Sequence, residues 1–299
     1  MNVATVVVAF NRDVLLKGAL DSISKQSLKS DAIIVVDNAV QDSTKALVKE
    51  FNCHYLVGNK NLGGGGGFSL GMRFALSIGA QKIWLLDDDG WPAKDCLETL
   101  MESSTKFSYE VVSPLVISNE DSTFTANTFF FGLRKADQVS DLKRKEVREN
   151  KVQFFNGVLL NSTVVERIGF PRADLFIRGD ELDYYYRCRP FTRMALITNA
   201  ELYHPSSQGE YGVNRRRLFS ANVPSDPIKR YYQLRNRGYL IRQHRLHLAF
   251  VFDLIRYPLT FLIYKKMDVG GFIEWIKLWC QGLRLDLSPH PEHRRINEK

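Results

Sequence analysis

The sequence Ile83-Trp84-Leu85-Leu86-Asp87-Asp88-Asp89 places three carboxylates directly after an apolar segment. The apolar residues are typical of a buried strand, whereas ionised aspartate is almost never buried unless it is paired or bound to a metal. A strand that ends in clustered carboxylates presents the oxygen ligands that Mg²⁺ or Mn²⁺ prefers. The alternative is an acidic turn followed by a helix N-cap, because Asp suits both positions.

Working outward from this segment, apolar strand-like segments alternate with segments of helical periodicity. The predicted strands are residues 3–9, 32–36, 54–57 and 82–86, and the predicted helices are residues 14–24, 43–51 and 68–78. A nearly unbroken β-branched run such as Val3 to Ala9 suits a strand that is covered on both faces. The alternation predicts an α/β fold of βαβ units, with a Rossmann-like, mostly parallel central sheet flanked by helices.

Polar or glycine-rich clusters stand where the four predicted strands end. They are Asn11-Arg12, Asp37-Asn38, Asn61 to Gly67, and Asp87 to Asp89. Functional residues in parallel sheets lie at the carboxyl ends of the strands. The clusters therefore predict one nucleotide-binding crevice at one edge of the sheet.

Five consecutive glycines, Gly63 to Gly67, stand ahead of the third predicted helix. Glycine lets the backbone approach a ligand closely, and the N-terminus of a following helix favours an anion. The segment lacks the lysine of a P-loop, which disfavours an ATPase. The alternative is a flexible connector.

A second acidic cluster, Asp180, Glu181 and Asp183, stands at the start of a predicted helix. Such acids are commonly helix caps, but one of them could also take a proton from an acceptor hydroxyl while the first cluster holds a metal. His204 follows another apolar strand, residues 194–197. A lone histidine is more often structural, yet imidazole also binds Mn²⁺-class ions, so His204 is a candidate ligand.

The remaining segments predict the organisation of the chain. Residues 119–152 are polar and predict an exposed excursion, and residues 206–226 predict a mobile loop. The character changes to helix from Pro227 onward. We therefore predict a catalytic α/β domain over residues 1–226 and a C-terminal helical appendage over residues 227–299.

Composition limits the compartment and the partners. The chain has 41 Lys and Arg against 33 Asp and Glu, a formal charge of +8, which favours anionic partners. Its four cysteines are isolated, which favours a reducing compartment. The N-terminus lacks the features of a secretory leader, and no apolar run reaches the ~20 residues that span a bilayer. We expect a cytosolic protein, or one attached to a membrane from the cytosolic side.

In order and spacing, the motifs between roughly residues 3 and 205 resemble those of an inverting family 2 glycosyltransferase with the GT-A fold. The matching residues are Val6 to Arg12, Ile34 to Asn38, Asp42 to Thr44, Asn61 to Gly64, Asp87 to Asp89, and Asp180-Glu181 with Arg187. The run Gly63 to Phe68 resembles galactofuranosyltransferases more than the rhamnosyl-transfer branch. Tyr231-Tyr232 with Arg235-Asn236 also recurs in these bacterial polysaccharide enzymes.

The resemblance implies a role for each matching residue. The uridine and ribose would be held by Phe10, Asn11, Arg12, Asp37 and Asn38, and the pyrophosphate and donor sugar would face Asn61, Gly63 and Gly64. Asp87 and Asp89 occupy the first and third positions of the DxD motif and His204 completes the metal site, with Asp88 in a supporting role. The family's base is the second acid of the pair, usually Asp; here it is Glu181, which leaves the base open between Glu181 and Asp180.

The implied reaction is metal-dependent transfer, with Mn²⁺ or Mg²⁺, of galactofuranose from UDP-galactofuranose. The acceptor would be a hydroxyl of a lipid-linked or polysaccharide glycan in bacterial cell-surface synthesis such as that of O-antigen. One alternative is a rhamnosyltransferase that uses dTDP-rhamnose. Another is a nucleotide-sugar or nucleic-acid binding module without turnover; we expect no nucleic acid partner, because clustered acids repel phosphate unless a metal is present.

Two interpretations of the C-terminal helices stay open. They pack on the catalytic domain, or they form an amphipathic surface on an anionic membrane. Trp275 and Trp279 lie at i, i+4 with lysines nearby, a pattern that suits anionic headgroups. The second interpretation predicts a cytoplasmic enzyme that is peripheral on the cytoplasmic face of the inner membrane.

Overall fold

The computed structural model describes residues 1–131, 134–205 and 219–296. The chain divides into two compact units. The sheet unit comprises Met1–Ala173 and Tyr184–Ser206, and the helical unit comprises Asp174–Asp183 and Ser207–Lys299. Residues 206–218 of the predicted mobile loop lie outside the described residues.

The sheet unit is built on one large mixed sheet. Its strands are β1 Val3–Ala9, β2 Ala32–Asp37, β3 His54–Val57, β4 Lys82–Asp87, β5 Trp91–Pro92, β6 Val111–Ser118, β7 Phe124–Phe131, β8 Arg134–Gln138, β9 Val147–Glu149, β10 Asn156–Asn161 and β11 Met194–His204. The main order is β3-β2-β1-β4-β10-β6-β11-β5. The half β3-β2-β1-β4 is parallel, as predicted, while β10 joins β4 and β6 in the antiparallel sense.

Helices flank this sheet. They are α1 Asp13–Ser24, α2 Asp42–Glu50, α3 Gly63–Ser77, α4 Cys96–Lys106, α5 Val139–Lys143 and α6 Ser162–Ile168, followed by α7 Asp180–Cys188. Alternate residues of β1 enter two different core clusters, Val3 and Val7 on one side and Val6 and Val8 on the other. Because side chains alternate across a strand, the sheet is covered on both faces. The predicted α/β architecture is thus confirmed, but the sheet as a whole is mixed and not mostly parallel as predicted, because β5, β7, β9 and β10 pair with their neighbours in the antiparallel sense.

The prediction that the glycine run precedes its helix is wrong, because α3 begins at Gly63 and contains all five glycines. Glycine is a poor helix former, but this helix needs it for packing. A Cβ on Gly67 would lie 2.7 Å from Val8 Cγ1, and one on Gly71 would lie 2.3 Å from Val6 Cγ1. The helix therefore lies closer to β1 than any residue with a side chain would allow.

The prediction of an exposed excursion over residues 119–152 is correct only in part: many of the described residues are exposed, but the segment forms regular secondary structure. This segment contains β7, β8, α5 and β9, and β9 pairs with β11. Ala136 and Leu142 are buried in a small core cluster with Leu115, Ile117 and Leu196. The sequence does not predict these strands because apolar and polar residues alternate along a sheet that is exposed on one side, so charged residues are frequent in them.

The helical unit contains α8 Pro227–Gln243, α9 His247–Pro258, a π-helical turn Leu259–Tyr264, α10 Val269–Leu283 and α11 Pro291–Ile296. Asp226 caps α8 by accepting from the Lys229 N–H, and Pro227 occupies the first turn. Within the described residues, one helical stretch, His247–Tyr264, has the length and apolar composition of a membrane span.

Trp275 and Trp279 do not form the predicted interfacial pair, because both are buried. Trp275 stacks on Tyr257 at 5.0 Å between ring centroids, and Trp279 stacks on Phe250 at 5.1 Å. Large aromatic rings contribute most when they leave water, so the core of the helical unit forms around them.

Candidate functional site

The carboxyl ends of β1, β2 and β4 are neighbours in the sheet. The strand register places Val8 beside Asp87 and Ala9 beside Asp37. Parallel strands end on one side of a sheet, so the clusters that follow these three strands lie together. Phe10 and Asn11, which come directly after β1, are exposed, and Asn11 has a positive φ of 55°.

Arg12 pairs with two of the three aspartates. Its guanidinium contacts Asp88 and Asp89 through different nitrogens, and its Nε donates to Asp88 Oδ2 at 3.3 Å. The Phe10 N–H donates to the same oxygen at 3.1 Å. Asp88 is fully buried, and burial raises its pKa to about 6 although Arg12 opposes the shift. Asp88 thus fixes the segment after β1.

Asp87, Asp89 and His204 form a cluster at the ends of β4 and β11. One potential ligand atom from each lies within 4.8 Å of the others. His204 Nε2 is 3.1 Å from Asp89 Oδ1. Burial and the neighbouring carboxylates raise the pKa of Asp87. Burial also acts to raise the pKa of Asp89, but His204 and Arg12 outweigh it and the pKa of Asp89 is lowered.

This cluster fits a divalent cation. Two carboxylate oxygens and an imidazole nitrogen form a donor set that suits Mn²⁺ and similar ions. His204 Nδ1 lies 2.6 Å from the Pro205 carbonyl oxygen, which orients the ring and, in the neutral tautomer that donates this bond, leaves Nε2 free to bind. Burial disfavours the charged imidazole, but Asp89 outweighs it and raises the pKa of His204, so a cation would take the place of a proton.

Asp37 and Asn38 lie at the end of β2, beside the end of β1. The Asp37 carboxylate accepts from the Ala39 N–H at 2.8 Å, the Gln41 N–H at 2.9 Å and the Tyr55 hydroxyl at 2.9 Å. Burial and this carboxylate raise the pKa of Tyr55 to about 12. The sequence alone does not identify Tyr55 as part of the site, because no residue near it in the chain indicates that its partner is Asp37.

Asn38 connects the end of β2 to the first turn of α3. Its Nδ2 donates to the Gly63 carbonyl oxygen at 2.9 Å, and its Oδ1 accepts from the Leu62 N–H at 3.3 Å. Asn61 Oδ1 accepts from the Gly63 N–H at 2.9 Å, while Gly64 follows in the same turn. The predicted donor-binding residues Asn38, Asn61 and Gly63 are therefore brought together.

The second acidic cluster belongs to the helical unit. Asp180 and Glu181 begin α7; Asp180 is 4% exposed, whereas Glu181 is half-buried. Glu181 Oε2 accepts from the Gly179 N–H at 3.1 Å. Asp183 is fully buried and accepts from the Tyr239 hydroxyl at 3.1 Å and His244 Nε2 at 2.9 Å. Asp183 thus ties the start of α7 to the C-terminal half of α8.

Two buried residues of α8 hold the segment that leads into α7. Asn236 Nδ2 lies 2.8, 3.0 and 2.9 Å from the carbonyl oxygens of Leu175, Ile177 and Arg178. Arg235 Nη2 donates to the Asp174 carbonyl at 2.7 Å. Phe176, Arg178 and Gly179 have positive φ, a conformation that persists only where the surroundings enforce it. The sequence indicates the adjacent pair Arg235-Asn236, but it does not indicate that their partners lie about 60 residues earlier in the chain.

Comparison of the sequence with known proteins identifies related glycosyltransferases. The model of the family "Glycosyl transferase family 2" matches residues 5–196. Galactofuranosyltransferase GlfT1 of Mycolicibacterium smegmatis is 34% identical over 292 residues, which is 94% of this chain and 96% of that protein.

Solved structures share the fold at low identity. S. aureus TarS 1–349 in complex with UDP-GlcNAc has a TM-score of 0.61 at 15% identity, covering 94% of this chain and 81% of that one. The mannosyltransferase PcManGT of Pyrobaculum calidifontis, in complex with GDP-Man and Mn²⁺, has a TM-score of 0.56 at 15% identity over 94% of this chain and 87% of that one. The fold is that of GT-A glycosyltransferases, and the chain belongs to glycosyl transferase family 2.

Proposed function

We propose that the protein is an inverting galactofuranosyltransferase that uses UDP-galactofuranose. The observation that carries this proposal is the 34% identity with a galactofuranosyltransferase along 94% of the chain. The cluster of Asp87, Asp89 and His204 at the strand ends supports it, because these residues could hold a metal ion whose positive charge would oppose that of a diphosphate leaving group.

Asp87, Asp89 and His204 would hold Mn²⁺ or Mg²⁺. When bound, the cation supplies positive charge that stabilises the departing diphosphate. Asp88 takes no part in ligation in this scheme, because both of its oxygens are engaged, Oδ1 by Arg12 and Oδ2 by Arg12 and the Phe10 N–H, whereas Asp89 meets Arg12 through Oδ2 alone and keeps Oδ1 beside His204. Asp88 keeps the end of β1 in place for the nucleotide.

The donor would lie along the ends of β1, β2 and β4. Phe10, Asn11 and Arg12 would face the uridine and ribose from one side, with Asp37 and Asn38 on the other. Asn61, Gly63 and Gly64 would face the pyrophosphate and the sugar, because the N-terminus of a helix carries a partial positive charge that favours anions. This assignment keeps all the predicted donor-binding residues within the sheet unit.

Glu181 is our candidate for the base, with Asp180 as the alternative. We favour Glu181 because it is only half-buried, whereas Asp180 is 4% exposed. The acceptor oxygen would attack C1 of the sugar as the bond from C1 to the diphosphate oxygen breaks. The hydroxyl proton passes to Glu181, and the single displacement inverts the anomeric centre.

We further propose a lipid-linked or polysaccharide acceptor and a cytoplasmic enzyme that is peripheral on the inner membrane. We also retain residues 1–226 as the catalytic domain and the helical region from residue 227 as an appendage that contributes packing, although the candidate bases Asp180 and Glu181 belong to the helical unit. The acceptor class follows from the family resemblance and is tested separately from the donor.

Donor identity is the most direct test of the proposed function. The purified protein with Mn²⁺ is incubated with UDP-galactofuranose or with dTDP-rhamnose, and release of the free nucleotide is measured. We expect turnover of UDP-galactofuranose alone. Preferential turnover of dTDP-rhamnose would establish the rhamnosyltransferase alternative, and binding of either donor without turnover would indicate a binding module.

Asn236 is expected to act as a positioning residue for the base. Asn236→Leu removes the amide from three carbonyl groups, of which that of Leu175 keeps the Ile177 N–H as a donor. Each carbonyl that is left without a donor should cost about 1–3 kcal/mol in the free energy of unfolding. A shift of the Asp180-Glu181 turn should lower kcat for transfer about 100-fold and leave the Kd for UDP unchanged.

The matched control is Arg237→Met, one residue along the same helix. It breaks the ion pair with Asp253, in which Arg237 Nε is 2.8 Å from Asp253 Oδ2. We expect this variant to lose stability while it keeps kcat. Equal losses of kcat in the two variants at matched stability would contradict the positioning role.

A further inference from the structure

An unusual row of apolar side chains faces solvent on α9. Leu248, Val251, Phe252 and Ile255 are 78%, 54%, 42% and 48% exposed, and they stand at i, i+3, i+4 and i+7. That spacing places them on one side of the helix. Contiguous exposed apolar surface of this kind marks an interaction site.

The opposite side of α9 is firmly anchored in the helical unit. Asp253 is fully buried and paired with Arg237 at 2.8 Å and Arg256 at 2.9 Å. Tyr257 is buried and stacks on Trp275. The helix cannot rotate its exposed row inward without separating the buried Asp253 from Arg237, which is costly. The exposed row is therefore a fixed feature of the folded protein.

Basic residues stand at both ends of this helical stretch. Arg242 and Arg245 precede it and Lys266 follows it, and all three are exposed. Between residues 247 and 264 the only acid in the sequence is Asp253, which is turned inward. An apolar row with basic ends is complementary to a bilayer that has anionic headgroups.

We propose that α9 and the turn that follows it, residues 247–264, dock this protein on an anionic membrane surface, with the apolar row against the acyl boundary. The same stretch has the composition of a membrane span. Spanning would separate Asp253 from Arg237 and place the Asp253–Arg256 pair in hydrocarbon, so a helix that lies on the surface is favoured.

A second copy of this chain fits the row less well. Packing the same face about a twofold axis would bring the basic ends of one helix toward the basic ends of the other, whichever way the two helices run. Like charges there would oppose the contact. The apolar row on α9 would be the surface through which the enzyme makes the membrane contact proposed above. This assignment does not depend on which sugar is transferred.

The test is flotation of the full-length protein with vesicles of phosphatidylcholine containing phosphatidylglycerol, and with phosphatidylcholine alone, in the absence of donor. We expect the wild type to float with the anionic vesicles and less with the neutral ones. Phe252→Asp should reduce partitioning about tenfold, because it puts a charge into the apolar row. The matched control is Phe191→Asp, the same change at a phenylalanine of the sheet unit that is 62% exposed, and it should float like the wild type.

Lys266→Glu is a second variant that leaves the apolar row intact, and it should reduce binding to anionic vesicles about tenfold with little effect on neutral ones. The proposal is overturned if the wild type does not float, or if Phe252→Asp floats as well as Phe191→Asp. It is also overturned if the wild type does not bind vesicles but sediments as a dimer, and Phe252→Asp converts that dimer to a monomer. The apolar row would then bind a second copy of the chain. Because flotation is measured without donor, these outcomes leave the donor test untouched.

Discussion

Glu181→Gln is expected to lower the rate of sugar transfer by about 1,000-fold, since a positioned general base contributes in this range. The substitution keeps the shape of the side chain and its hydrogen bond from the Gly179 N–H, which is 3.1 Å long in the wild type. It removes the ability to accept the acceptor proton. UDP binding, measured by calorimetry, should stay at the wild-type level because the donor site is assigned to the sheet unit.

Glu181→Asp tests whether Glu181 acts as the general base or only as a helix cap. It keeps a carboxylate but withdraws it by one methylene, so we expect transfer to be intermediate between the wild type and Glu181→Gln. Asp183→Asn is the control on the same helix: it weakens the bonds to Tyr239 and His244 and should lower stability more than turnover. If Asp180→Asn abolishes transfer and Glu181→Gln does not, Asp180 is the base and our assignment is wrong.

The parallel half of the sheet could be predicted because its signals are local. β1, β2 and β4 are continuous apolar runs, and each is followed by polar residues that belong at a strand end. The glycine helix could not be predicted, because propensity alone disfavours five glycines in a helix. The reason that α3 forms is its close approach to Val6 and Val8, which lie some 60 residues earlier in the chain.

In the candidate site, too, the sequence indicates individual residues but not the contacts between distant parts of the chain. Asp87, Asp89 and His204 could be proposed from residue type and position, and the structure brings them within 4.8 Å. The ion pair of Arg12 with Asp88 could not, because sequence says nothing about which of three adjacent aspartates turns inward. The bonds from Asn236 to residues 175–178 likewise join elements that only the tertiary fold brings together.

Adjacent aspartates allow the metal assignment to be tested by the same substitution at two neighbouring positions. Asp89→Asn replaces a ligand of the proposed cation and should weaken Mn²⁺ binding, measured by calorimetry, by about 100-fold, because even partners outside the ligand shell affect metal affinity by 10–100-fold. Transfer by this variant should require correspondingly more Mn²⁺. In the wild type, a chelator should abolish transfer and added Mn²⁺ or Mg²⁺ should restore it.

Asp88→Asn makes the same chemical change one residue away, at a carboxylate that faces Arg12 and the Phe10 N–H. We expect Mn²⁺ affinity close to the wild type, together with a lower free energy of unfolding, because the Arg12 guanidinium loses one of its two acidic partners. If both variants lose Mn²⁺ binding equally, the three aspartates act as one acidic patch without defined ligands. Transfer by the chelator-treated wild type would contradict the metal site itself, because the cluster would then serve only to orient Arg12 and His204.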